Sequence, residues 1–327
     1  MNSETSQNLN GTRRLFTVVI ASRCDDARSK LLMRACESVR TMAGEYDYSI
    51  LVVANGPHVS SNVLNLLAAK ADIRVIRLRS GSYPLARRVG AEMADSEFLA
   101  FLDDDDELMP NSLAPKVAFF RTHPDIDVLV TDGLRVSGSI ETRIFPPPEA
   151  RGADIVEAMM GAGWGAGALT LRMQNITLSA FDAEFRHLEW TLTALELASR
   201  HQVGYLDEPA YRYYEDMPNS LWKSAEHAFA APEVWRRLLK SYAGTRYEAM
   251  VRQRCARVCH SASDDYAHKG RIREAWRLHF MSLRPPGGMV YLPFSARLVF
   301  ASVRHLFARS ASGQRVDVRA NDRENST

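Results

Sequence analysis

Residues 98–110 read Phe98-Leu99-Ala100-Phe101-Leu102-Asp103-Asp104-Asp105-Asp106-Glu107-Leu108-Met109-Pro110. Five apolar residues run into five acids, and a proline closes the stretch. The apolar run is short and ends abruptly, which is the pattern of a fully buried strand. Successive side chains alternate along a strand, so Asp103 and Asp105 are expected on one side and Asp104 on the other. Between Arg88 and Lys116 the chain offers no basic residue to neutralise the acids. Such a cluster either stays in water or takes a hard divalent cation, because Mg²⁺, Mn²⁺ and Ca²⁺ favour carboxylate oxygen. Position favours the second reading: acids at the carboxyl end of a buried strand lie where open α/β sheets bind ligands.

Working outward, the same kind of strand recurs. Leu15–Ala21 (LFTVVIA) and Tyr48–Ala54 (YSILVVA) are apolar runs, and Ile73–Leu78 reads as a third strand. Helical periodicity lies between them over 27–42, 60–70 and 83–94, the last with Leu85, Val89 and Met93 on one face. Alternating strands and helices define βαβ units and a mostly parallel sheet. The loops after the strands then share one edge, which brings Arg23, Asp25, Asn55 and the acids to one crevice. Further on, 125–134 and 168–171 read as strands, and the proline-rich 140–151 reads as loop. Residues 187–200 read as an amphipathic helix, and 203–206 as a short strand. The glycine-dense run 161–167, with Trp164 at its centre, allows close approach of a ligand or of another chain segment. Beyond Ser220 the pattern turns helical, over 224–243, 245–268 and 270–283.

The 327 residues balance 41 basic against 39 acidic side chains, a net charge of +2. That excludes a general nucleic-acid coat, which needs a strongly basic face. With 46% hydrophobic residues the chain can build a substantial core. No apolar run approaches the length of a membrane span, and Met1–Gly11 is polar. Four cysteines in so long a chain do not make a disulfide framework. Reduced thiols in the cytoplasm are expected.

Five landmarks occur in one order: Ser22-Arg23 after the first strand, Ala54-Asn55-Gly56 after the second, Leu85-Ala86-Arg87-Arg88-Val89-Gly90, the acids from Asp103, and His187-Leu188-Glu189-Trp190. Together they resemble an inverting family 2 glycosyltransferase with the GT-A fold over the first 220 residues. The resemblance implies an α/β, mostly parallel open sheet flanked by helices, with a C-terminal helical extension. The implied organisation is a disordered tail over 1–14, a catalytic domain over 15–222, a helical region over 223–308 and a second tail over 309–327. The implied reaction is sugar transfer, of hexosyltransferase type, from a nucleotide-diphosphate sugar to a hydroxyl of a glycan or lipid-linked acceptor in surface polysaccharide or glycolipid synthesis.

Carried over residue by residue, Asp103 and Asp105 occupy the positions of the family's Asp-X-Asp motif, which holds Mg²⁺ or Mn²⁺. Ala21, Ser22, Arg23, Asn55, Arg87, Asp103, Asp104 and Asp105 form the implied donor site. Arg87 is set near the phosphates, and Glu189 falls where the family carries its aspartate base. Trp164 and Gly165 become sugar or acceptor contacts. The segment 211–220 resembles a mobile loop that closes on the diphosphate, with Arg212 and Ser220 as phosphate contacts. The chain departs from the family in four places: Ala54 replaces an aspartate that touches the base, Arg88 an asparagine, Leu188 a glutamate, and Glu189 the aspartate base, with an arm one methylene longer. The Leu188-Glu189 departure keeps an inactive sugar-nucleotide or glycan binding module open as an alternative. A nucleotidyltransferase is the other, disfavoured by the lack of a glycine-rich triphosphate loop after the first strand.

Residues 290–309 (VYLPFSARLVFASVRHLFAR) alternate apolar positions with Arg297, Arg304, His305 and Arg309. A basic amphipathic helix lies on an anionic membrane surface or packs on its own protein. The first alternative places a cytoplasmic enzyme at the inner face of the membrane.

Overall fold

A computed structural model of the chain describes residues 14–305 and 307, except 148, 150–153, 182–187, 217–224, 286 and 306. Residues 1–13 of the tail expected over 1–14, the tail expected over 309–327, and His187 and Ser220 lie outside the described residues, while Arg14 opens the first strand. The chain forms two compact units, Met1–Pro218 and Asn219–Thr327.

The first unit is built on one sheet. Its strands are β1 (Arg14–Ser22), β2 (Tyr48–Asn55), β3 (Ile73–Leu78), β4 (Ser96–Asp103), β5 (Glu107–Leu108), β6 (Val128–Ser137), β7 (Ile140–Arg143), β8 (Leu169–Arg172) and β9 (Val203–Tyr214). They lie in the order β3-β2-β1-β4-β8-β6-β9-β5, with β7 paired to β6. Pairing is parallel from β3 through β4 and antiparallel from β4 to β8 and from β8 to β6. Helices α1 (Ser29–Ala43), α2 (Ser61–Ala68), α3 (Tyr83–Met93), α4 (Leu113–Thr122), α5 (Ile155–Ala162) and α6 (Glu189–Arg200) flank it. The apolar runs end up where their composition requires: Val18, Ile20, Ile50, Val52, Leu99 and Ala100 are wholly buried. The register Ala21↔Asp103 and Ser22↔Ala54 brings the carboxyl ends of β1, β2 and β4 level at one edge.

Two expectations are corrected, and α3 adds a finding. The segment read as loop over 140–151 begins with β7, whose four residues are all exposed, so its strand pattern carries no apolar alternation. The strand read as 203–206 continues to Tyr214, which puts Tyr211-Arg212-Tyr213-Tyr214 into the sheet. Helix α3 leaves Leu85 and Met93 largely exposed and buries Ala86, Arg87, Gly90 and Ala91 instead. A β-carbon on Gly90 would stand 2.3 Å from a methyl of Val19, so small residues let this helix lie close on β1.

The second unit is helical: α7 (Ala225–Ser241), α8 (Glu248–His268), α9 (Ile272–Leu283), a 3-10 turn (Gly288–Tyr291) and α10 over 294–305. Ala275, Phe294 and Leu298 form a buried cluster with Tyr266, Ala267 and Trp276 packed against it. Trp276 Nε1 donates to Ser302 Oγ at 3.0 Å, and His279 Nε2 shares a hydrogen bond with Ser295 Oγ at 2.7 Å. All four cysteines are buried and free. Among the described residues no helix is long and apolar enough to cross a membrane.

Candidate active site

Strand β4 ends at Asp103, and of the acids that follow, Asp104 and Asp106 are buried. Asp104 is held by two partners. Ser22 Oγ donates to its Oδ2, and the Arg28 guanidinium grips both its oxygens. Arg28 also reaches Asp105 at 2.8 Å. Arg34, on α1, donates to the Asp105 carbonyl at 2.6 Å and pairs with Glu107 at 2.7 Å. The acids therefore have their cations, drawn from more than sixty residues away in sequence. That long-range pairing is what a local scan for basic residues misses.

Arg87 lies at the centre of the crevice. Its side chain is 7% exposed. It donates to Glu189 Oε1 at 3.0 Å and stands 3.7 Å from Asp103. Its guanidinium carbon lies 4.0 Å over the Trp190 ring, which holds the plane of the group. Trp190 in turn meets Phe101 edge-on at 5.2 Å and Trp164 at 6.0 Å. Glu189 is the first residue of α6, and Leu188 before it holds a left-handed backbone (φ 60°), which swings the helix start into the crevice. A strand-end carboxylate and a helix-start carboxylate thus share one arginine.

Asp103 keeps 32% of its side-chain surface open. Burial at the foot of the crevice pushes its carboxyl up to about 6; Arg87 opposes this, and Asp105, Asp104 and Glu189 add to it. Burial also raises Asp104, against the pull of Arg28. Asp106 is raised well above the usual carboxylate range by burial and by its acidic neighbours. Its Oδ1 accepts from the Tyr214 amide at 3.1 Å, while its buried Oδ2 has no hydrogen-bond partner.

The remaining sequence candidates distribute as follows. Ala21 is buried beside Asp103. Arg23 is exposed and paired with Asp25 at 2.5 Å. Asn55 is buried, and its Oδ1 accepts from the Ser82 amide at 2.9 Å, tying the end of β2 to the start of α3. Trp164 packs against Trp190 at the crevice. Gly165 does not face open space: its amide donates to Tyr211 Oη at 3.2 Å. β-Carbons on Gly133 and Gly167 would stand 2.4 and 2.8 Å from Tyr211. The glycine run thus admits another chain segment, the Tyr211 ring. Arg212 is no loop residue; it sits on β9 opposite Glu107 and pairs with Glu141 at 2.9 Å. Sequence reasoning passed over Arg28, Arg34 and Tyr83. Tyr83 opens α3, and burial and the nearby Asp104 raise its phenol to about 12. The usable signal was the unbalanced acid run, which demands distant arginines.

No group of three His, Cys, Asp or Glu side chains is gathered for a metal among the described residues. Asp103 and Asp105 keep 32% and 22% of their side-chain surface open, and Asp105 is paired with Arg28. Mg²⁺ keeps several waters and needs only one or two carboxylates beside substrate phosphate.

The mixed sheet with acids at the carboxyl edge of its parallel half is the GT-A arrangement. Residues 18–154 match the family model "Glycosyl transferase family 2". The chain carries a glycosyltransferase domain. Its fold is similar to that of S. aureus TarS residues 1–349 in complex with UDP-GlcNAc. The two share 15% identity over 89% of this chain and 88% of that one, with a TM-score of 0.61. The same TarS segment with UDP gives 16% identity over the same shares and a TM-score of 0.57. No curated protein sequence matches the chain.

Proposed function

We propose that the chain is a metal-dependent inverting glycosyltransferase. It moves a sugar from a nucleoside-diphosphate donor to a hydroxyl of a glycan or lipid-linked acceptor. The observation that carries this reading is Arg87, which touches Glu189 and stands beside Asp103, so that donor-side and acceptor-side carboxylates sit on one guanidinium. The TarS structures that share the fold hold UDP-GlcNAc and UDP, which supports a nucleotide-sugar donor.

Asp105 and Asp103 would hold Mg²⁺ or Mn²⁺, and such a cation neutralises charge developing on a leaving diphosphate. The chain's own residues do the rest. Ser22 and Arg28 immobilise Asp104, which fixes the strand end that carries the acid pair. Arg28, exposed along one side and already bridging two acids, is placed to share its charge with a phosphate. Glu189 accepts the proton of the acceptor hydroxyl as that oxygen bonds to the anomeric carbon and the carbon–phosphate-oxygen bond breaks. Arg87 orients Glu189, and Trp190 orients Arg87.

Glu189→Gln tests the assignment. Transfer should collapse while nucleotide binding, read by thermal shift with and without Mn²⁺, survives. Unchanged turnover would remove Glu189 from the chemistry. A chain that no nucleoside diphosphate stabilises under any metal condition would instead overturn the donor reading.

A further inference from the structure

The second unit leaves an apolar face uncovered. Among the described residues, Met289, Val290, Leu292, Val299, Phe300, Val303 and Phe307 are exposed, with Val290 at 71% and Phe307 at 72%. These seven large apolar side chains fall within nineteen residues. Helix α10 is buried on its opposite side through Phe294 and Leu298. At 3.6 residues per turn, Val299, Val303, Phe307 and Phe300 share one arc, and Arg304 and Arg297 follow at one border of it. Both arginines are exposed. Phe280 adds a further exposed ring on α9, 55% open.

The segment that carries this face is basic. From Ala275 to Val316 the sequence contains no Asp or Glu and six arginines. From α8, packed behind it, Asp264 acts with Arg297 on His260, which stacks on Tyr291. An exposed apolar surface of this size marks a docking face. The arginines at its border select an anionic occupant. A symmetric pairing of two copies through this face would set the same arginines against one another. We infer that α10 and the preceding turn dock the protein onto an anionic lipid bilayer, with Phe300 and Phe307 entering the acyl boundary and Arg297 and Arg304 meeting the headgroup phosphates. Apolar insertion and basic attraction act together in helices that lie in the interface plane. The inference stands apart from the catalytic reading, since none of these residues belongs to the crevice. It bears on the acceptor, because a bilayer-docked transferase is positioned for a lipid-linked one.

The test uses the full chain and vesicles of phosphatidylcholine, with or without phosphatidylglycerol. The wild type is expected to co-sediment with the mixed vesicles, and to release as salt is raised. Phe300→Asp with Phe307→Asp should abolish sedimentation. Arg297→Gln and Arg304→Gln should each weaken it by about fivefold. Because all four side chains are exposed, the variants should keep the wild-type circular dichroism. As a direct reading of insertion, Phe300→Trp should be quenched by bromine-labelled acyl chains. Absence of wild-type binding to the mixed vesicles, or no quenching of that tryptophan, would overturn the proposal. So would concentration-dependent self-association that Phe300→Asp and Phe307→Asp remove, which would assign the face to a second copy.

Discussion

The two halves of the sheet solve different problems. In the parallel half, β3-β2-β1-β4, the strands β1, β2 and β4 are short apolar runs, while β3 carries Arg74 and Arg77, and the useful groups stand past the strand ends at the crevice. There the chemistry depends on charge brought from afar: Arg28, Arg34 and Arg87 against Asp103, Asp104, Asp105 and Glu189. In the mixed half, β8-β6-β9-β5, the organising contact is apolar and close. Gly133, Gly165 and Gly167 give up their side chains to receive Tyr211, and Asp106 closes the space behind. One half is held by pairing and the other by fit. Substitutions should therefore fail differently: in the first by losing activity with the fold intact, in the second by losing the fold.

The largest effect is expected in the paired half. Glu189→Gln should lower kcat by about 10²–10⁴-fold, the usual worth of a general base, with little change in melting temperature. A comparable loss of stability would erase the contrast between the halves. Next comes a stability effect outside the crevice. Lys116 on α4 is fully buried, and its ammonium has no hydrogen-bond partner. Burial alone lowers its pKa from 10.5 to about 8. Below pH 8 both folded and unfolded chains carry the proton, and the folded chain bears the whole cost of burying it. Between pH 8 and 10.5 the unfolded chain binds more protons, so stability rises with pH. Lys116→Met should stabilise at pH 7 by about 3 kcal/mol and flatten that rise, read by denaturant titration across pH.

Gly167→Ala comes third. Its new methyl meets Tyr211 at 2.8 Å and should destabilise by about 1–3 kcal/mol. Normal stability in this variant would show that β9 is looser than its packing indicates. The smallest effect belongs to Arg212→Gln. Its partner Glu141 is surface-exposed, so loss of the pair should cost less than about 1 kcal/mol and leave donor affinity unchanged. A large rise in donor KM would return Arg212 to the phosphate role that the sequence implied and that its place on β9 argues against.

Much of the parallel half was legible in the sequence, because buried parallel strands announce themselves as unbroken apolar runs and their carboxyl ends define the crevice. Glu189 was reachable through the ordered motifs. The mixed half was harder. β7 is exposed throughout and shows no burial pattern. The aromatic and charged run at the end of β9 looked like a closing loop because Tyr211, wholly buried, is followed by partly exposed residues. The buried face of α3, with Ala86, Gly90 and Ala91, carries no large apolar residue to mark it in the sequence. Leucine and methionine mark a buried face only where there is room for them, and close contact with β1 gives that place to alanine and glycine. The arginine partners of the acids escaped because contact order, not spacing, brings them there.

Gly90 acts as a depth stop for α3 and the arginine it carries into the candidate site. It lets α3 settle against Val19, and Arg87 rides on the same helix less than one turn earlier. How far that guanidinium extends between Asp103 and Glu189 is thus fixed by a missing methyl group on the far side of β1. A larger side chain here would lift α3 off β1 and carry the guanidinium out of reach of the two carboxylates it joins.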